Sequence, residues 1–183
     1  IWRELYGDKS SQLAAGLLNL AWIRHSKGDN VAAERLTREA LEMNRALHGE
    51  EHEKVAETLL KLGTLFESQG RLVDAEPPLR AALALLRKLA PENDLQIHTT
   101  LATIASLTHS QGRLEDAEAL YRDALMAARK AYGAEHDVVV TRLNNLADLC
   151  RDAGKLDEAE SLLVEAIKIT RNLHGENHNR LAT

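Results

Sequence analysis

A period of 42 residues runs through this chain without a slip, and it restricts the possible folds more than any other feature. Glycine stands at Gly28, Gly70, Gly112 and Gly154. An Ala-Glu pair follows each, at Ala33-Glu34, Ala75-Glu76, Ala117-Glu118 and Ala159-Glu160. Alanine returns at Ala40, Ala82, Ala124 and Ala166, and leucine at Leu17, Leu59, Leu101 and Leu143. A second mark falls at Gly7, Gly49, Gly133 and Gly175, with Pro91 in the remaining slot. Units that share one pattern stack, each covering the apolar face of its neighbour, because no single unit can bury that face alone.

The spacing within each unit is helical. Leu17, Leu20 and Ala21 form an i, i+3, i+4 stripe, repeated as Leu59, Leu62, Gly63, as Leu101, Ile104, Ala105 and as Leu143, Leu146, Ala147. Gly28 and its equivalents follow that stripe, where the chain must turn left-handed to stop. Each unit therefore divides into helix A before this glycine and helix B after it, of roughly 16–18 residues each. The last residue of the A stripe is always Ala or Gly, and helix B carries two alanines. These small sites let antiparallel helices approach closely. The units predicted are 10–51, 52–93, 94–135 and 136–177, with 1–9 and 178–183 as partial repeats. Ile1 to Gly7 reads as the tail of a helix B, and His178 to Thr183 as the start of a helix A. The chain opens without a Met and reads as a piece of something longer. Pro77-Pro78 falls early in the second helix B and predicts a distorted first turn, not a broken helix. Pro91 should end that helix.

Composition agrees and removes several functions. Aromatic residues make up 3% of the chain and there are three prolines, too few β-formers for a sandwich of this length. A net charge of −5 and a pI near 5.9 argue against nucleic acid as the main ligand. Cys150 is the one cysteine, which excludes an intrachain disulfide and suggests a reducing, cytoplasmic setting. No apolar run is long enough for a membrane span.

The string Leu143-Asn144-Asn145-Leu146-Ala147, Gly154-Lys155-Leu156-Asp157-Glu158-Ala159-Glu160, Ala166-Ile167 and Leu173-His174-Gly175-Glu176-Asn177-His178 closely resembles the tetratricopeptide repeats of kinesin light chains. The resemblance covers essentially the whole chain. It departs at the aromatic position of helix A, which here is Arg24, Phe66, Thr108 and Cys150 instead of a steady Tyr, so a motor subunit is not expected. The resemblance implies an all-α, right-handed α-solenoid of antiparallel helix pairs, a tetratricopeptide superhelix. It implies a non-enzymatic scaffold or adaptor that binds a protein or extended peptide in a concave groove lined by helix A, with no cofactor and no membrane partner. The alternative function is a regulatory or oligomerisation region of a larger enzyme or signalling protein. Open array ends would also permit self-association.

Carried over position by position, the groove comprises Ala15, Leu18, Asn19, Trp22 and His25 in the first unit and Glu57, Leu60, Lys61, Thr64 and Glu67 in the second. The third contributes Thr99, Ala102, Thr103, Ser106 and His109, and the fourth Thr141, Asn144, Asn145, Asp148 and Arg151. Its N-terminal end is apolar at Leu18, Trp22 and Leu60, and its C-terminal end is polar and charged. A guest chain would set an apolar side chain near Trp22 while Asn19, Asn144 and Asn145 bond its backbone. The competing role for Trp22 is packing against a preceding repeat. Lys61 and Asn145 are isolated, so the two-carboxylate clamp of chaperone-binding relatives is not expected.

Two other patterns have bland explanations. His48 and His52, and His174 and His178, are four apart, a zinc-compatible spacing on one helix. Each pair straddles a glycine turn without a third ligand in register, which favours turn and helix-start roles over metal. Arginines at Arg3, Arg45, Arg87, Arg129 and Arg171, and at Arg38, Arg80 and Arg122, suggest a solvated face paired with Glu and Asp more than an anion stripe. Cys150 falls at a core position. No nucleotide loop, nucleophile elbow or paired catalytic carboxylates are present.

Overall fold

The computed structural model describes residues 10–89 and 95–175. Arg3, Gly7, Pro91, His178 and the two partial repeats lie outside the described residues. Those described form eight α-helices and no strand: α1 Ser11–Ser26, α2 Asn30–His48, α3 Glu53–Ser68, α4 Leu72–Leu89, α5 Leu95–Ser110, α6 Leu114–Tyr132, α7 Asp137–Asp152 and α8 Leu156–His174. They fall into two compact units, one holding α1–α4 and the other α5–α8. Within each, consecutive helices pack against one another, and α1 also touches α3.

The turn from helix A to helix B is built four times by the same hydrogen bonds. Gly28 N–H donates to His25 O at 2.8 Å and Asp29 N–H to Arg24 O at 2.9 Å. This is the paired closure of a Schellman motif, and it requires the left-handed φ of +79° that Gly28 adopts. Gly154 and Lys155 repeat it against Arg151 O and Cys150 O at 3.0 and 2.8 Å. The second turn is stricter. Gly49 has φ 84° and ψ 169°, a region open essentially to glycine alone, while its N–H closes the helix on Arg45 O.

The alanines sit where the helices cross. Ala33, Ala40, Ala75, Ala82, Ala117 and Ala124 are all fully buried. Gly63 marks the tightest crossing. A Cβ built there would lie 2.4 Å from Leu79 Cγ and 3.3 Å from the Ala75 carbonyl oxygen. The equivalent sites hold Ala21, Ala105 and Ala147, so Gly63 makes room for Leu79, which is wholly buried. Leu20 departs from its stripe: it is 41% exposed, whereas Leu62, Ile104 and Leu146 are buried. Leu146 belongs to an α7 that packs on the preceding α6, a cover with no counterpart for α1 among the described residues. The Pro77-Pro78 pair lies inside α4, which runs continuously as a helix from Leu72 to Leu89.

Charged side chains link one hairpin to the next. Arg71, just after the Gly70 turn, donates to Glu34 at 2.6 Å, and Lys155 donates to Glu118 at 2.6 Å. The Glu of the repeated Ala-Glu pair thus receives the cation that opens the following helix B. Arg38, Arg80 and Arg122 bond the same Glu from one turn along their own helix. Arg122 and Arg129 also reach α8, at Glu158 and Glu165. Position 29 trades roles with these cations. Asp29 caps its own helix by accepting from Ala32 N–H, whereas Lys155 makes no side-chain cap and bonds the preceding hairpin instead. Phe66 is buried beneath two of these cations, with the Arg71 and Arg38 guanidinium carbons 4.3 and 5.7 Å from its ring centroid.

Gly63→Ala should lower stability by about 1–3 kcal/mol despite the better helix propensity of alanine, because overpacking at a closed crossing exceeds that gain. Leu79→Ala, itself destabilising because Leu79 is wholly buried, should cost less in the Gly63→Ala background than in the wild type. Thermal melts of the two single variants and the double variant check this, and a neutral or stabilising Gly63→Ala would contradict the packing account. A second expectation concerns Glu118, which is buried and whose carboxyl is held below its ordinary range by the hydrogen bond from Lys155 and by Arg122, against the opposing effect of burial. A carboxyl lowered on folding adds stability above its unfolded pKa and loses it as the pH falls through the folded value. Glu118→Gln should therefore cost about 1 kcal/mol at pH 7. The gap between the two melting curves should close in acid, and a gap independent of pH would exclude the ion pair as its origin.

Candidate functional site

A cleft in the N-terminal unit lies between α1 and α3, the two A helices, with α2 beneath. Its volume is about 570 Å³. Leu18, Asn19, Trp22, Lys61 and Thr64, all expected groove residues, line it together. Ala21, Leu65 and Thr37 form its buried floor, and Ile23 joins its rim. Trp22 is 62% exposed, a large apolar surface left to water. Its ring leans on His25, centroids 5.5 Å apart, and His25 is itself bonded to Asn30 at 2.9 Å. Lys61 has no ion-pair partner among the described residues, while Lys54, two turns earlier on the same face of α3, is paired with Glu57. Thr64 donates to the Lys61 carbonyl at 3.1 Å and keeps its acceptor lone pairs for a guest. Leu60 is half-buried and lies outside this lining, as does His25.

In the C-terminal unit the expected residues disperse. Asp148 and Arg151 line a second cleft of about 370 Å³ whose other wall is the outer face of α8, with Leu156, Leu163, Val164 and Ile167 all at least 41% exposed. Arg151 is held by Asp148 at 2.9 Å and Asp152 at 3.3 Å. Half-buried His109 bonds Asp152 at 3.1 Å. Ser106, Asn144 and Asn145 are absent from that lining. Asn144 is exposed and Asn145 half-buried. Ala102 is buried, and Thr141 and Thr103 turn their hydroxyls back onto Asp137 O and Thr99 O.

The histidines of the second turn have structural work. His52 and His136 are N-cap residues whose Nδ1 accepts from Lys54 N–H and Val138 N–H, both at 3.1 Å. Each ring stacks on the last aromatic residue of the preceding helix: His48 on His52 with centroids 4.3 Å apart, Tyr132 on His136 at 4.5 Å. His48 and His174 reach across their own hairpins to Ser11 and Asp137. Cys150 is fully buried, and burial pushes its thiol up.

Paired helices, glycine-closed turns and small crossing residues define the class: a tetratricopeptide-type helical-repeat protein. The family profile described as MalT-like TPR region matches residues 19–182, and the chain belongs to that family. Solved structures agree on the fold. BtubC (BKLC) from P. vanneervenii superposes with a TM-score of 0.83 at 25% identity, over 92% of this chain and 66% of that one, so the chain spans just under two thirds of that protein's length. A Podosopora anserina protein described as a kinesin light chain with nearly identical TPR-like repeats gives 0.80 at 16% identity, over 96% and 83% of the two chains. MamA gives 0.64 at 14% identity, over 89% and 81%. Among curated proteins nothing matches. Folds of this type generally mediate protein–protein interaction and are typically non-catalytic scaffolds. No described helix is long and apolar enough to cross a membrane.

Proposed function

We propose that this chain is a scaffold or adaptor module that binds an extended segment of another protein along its A helices, with the α1–α3 cleft as the anchoring subsite. The observation that carries this reading is the exposed Trp22 beside the uncompensated Lys61 in an open cleft of about 570 Å³. A guest apolar side chain lies against Trp22 and Leu18, a guest carboxylate meets Lys61, and the Asn19 amide bonds the guest backbone as both donor and acceptor. In the C-terminal unit, Ser106, His109, Asn144, Asn145, Asp148 and Arg151 supply polar contacts of lower weight, since Arg151 and His109 already have partners. A cytoplasmic setting fits the buried free thiol of Cys150.

Selection from a displayed random-peptide library on the immobilised chain supplies ligands for the test. Selected peptides should lose at least tenfold in affinity with Trp22→Ala, less with Lys61→Ala and Asn145→Ala, and the far-ultraviolet helical signal should be unchanged in all three. Equal affinity for the wild type and Trp22→Ala would remove the cleft as the anchoring subsite.

A further inference from the structure

The buried position that joins one hairpin to the next is filled differently in the two units. In the first, Asn44 of α2 donates to Thr58 of α3 at 2.9 Å, a neutral pair with both side chains buried. Stepping along the repeat puts Ala128 of α6 in the place of Asn44 and Arg142 of α7 in the place of Thr58. Ala128 is fully buried and offers no polar group to Arg142 in the place where Asn44 bonds Thr58. Among the described residues no carboxylate pairs with that cation. Burial opposes its charge, and only the hydroxyls of Tyr121 and Tyr132 act in the other direction.

Arg142 itself is loosely engaged. Arg142 Nε is buried and without a hydrogen bond among the described residues. Its Nη2 lies 3.5 Å from His98 Nδ1, which is 3.4 Å from the Thr99 hydroxyl; His98 Nε2 is 3.4 Å from the Tyr132 hydroxyl. All three distances exceed the usual 2.7–3.2 Å for nitrogen donors. A guanidinium has five donors and no acceptor, and its planar fork matches two oxygens of one anion. A half-buried cation without an anion is costly, and an entering oxyanion would relieve that cost. Thr99 is exposed and Arg142 is partly open to solvent, so the group is reachable.

We propose that Arg142, beside the His98 ring at the junction of α6 and α7, is a receptor for a single oxyanion of the carboxylate or phosphate type. The receptor is independent of the α1–α3 cleft. It lies where the Asn–Thr pair of the N-terminal unit has Ala–Arg as its counterpart, which puts a charge at a partly buried joint with no ion-pair partner among the described residues.

The test titrates the whole chain with sodium phosphate, sodium acetate or sodium chloride at constant ionic strength. The readouts are the arginine Nε–H resonances and the melting temperature. The comparison is the double variant Ala128→Asn/Arg142→Thr, which rebuilds the neutral junction, with Arg142→Met as a second variant in case the first does not fold. The expected result is one arginine resonance that moves saturably with phosphate or acetate and is missing from both variants, with a rise of a few degrees in melting temperature that only the wild type shows. Response to acetate alone assigns a carboxylate ligand, and response to phosphate alone a phosphate ligand. Non-saturating movement, an equal response to chloride, or the same anion-dependent stabilisation in a folded variant would overturn the receptor.

Discussion

Two helices come close only where one of them has nothing to put between the backbones, and in this chain that condition recurs at fixed places in every unit. Ala33 and Ala40 on α2, with Ala21 on α1, set the separation of the first hairpin, and the same three sites return down the chain. Everything else is arranged around those crossings. Large side chains such as Leu79, Leu101 and Leu143 fill the flanks that the crossings create, and the glycine turns return the chain at the angle the crossing needs. Gly63 shows how tightly the two requirements are joined. One methyl group has been given up on α3 so that a leucine fits entirely within the α3–α4 hairpin.

The charged residues add a second layer that apolar packing alone would not specify. Apolar faces of near-identical hairpins fit one another in more than one register, since each offers alanines and leucines at the same heights. A Glu one turn into helix B that meets the cation opening the next helix B fixes the register between units. Such exposed pairs contribute little to stability one at a time. Their value lies in penalising misaligned stacking, where Glu118, itself buried, would lose Lys155, and Arg122 would lose Glu158. The Ala-Glu signature thus couples two tasks in adjacent residues, close approach by the alanine and alignment by the glutamate.

Much of this was legible in the sequence because it repeats. The helix pairs, both glycine turns, the small crossing sites and the role of the histidines as turn residues all follow from a pattern seen four times. The clustering of Leu18, Asn19, Trp22, Lys61 and Thr64 was legible too, since residues three and four apart share a helix face. Three things were not. Leu20 belongs to a buried stripe by spacing, yet its burial depends on a neighbouring helix and not on its own. Thr37 reaches the cleft floor from a B helix, which a rule confined to A helices does not include. Leu60 holds the same repeat position as Leu18 but lies outside the cleft lining, so equivalence in the repeat does not give equivalence in the site.

That last point bears on where specificity resides in an array of this kind. Positions that keep their residue in every unit, such as the alanines and the turn glycines, serve the stacking and are alike in any protein with this architecture. Positions that drift carry what is particular to the chain. Trp22 stands where the later units have Thr64, Ser106 and Asp148. Arg142 stands where they have Thr58 and Thr100, both buried and each with its hydroxyl turned to its own helix. In each case a larger or charged group occupies a site that the fold can fill with a small neutral one, at a cost in solvent exposure or in burial of charge. A repeat protein tolerates such a cost locally because each unit leans only on its neighbours. The departures from the period are therefore the residues to read for recognition, and the period itself is the frame that holds them in place.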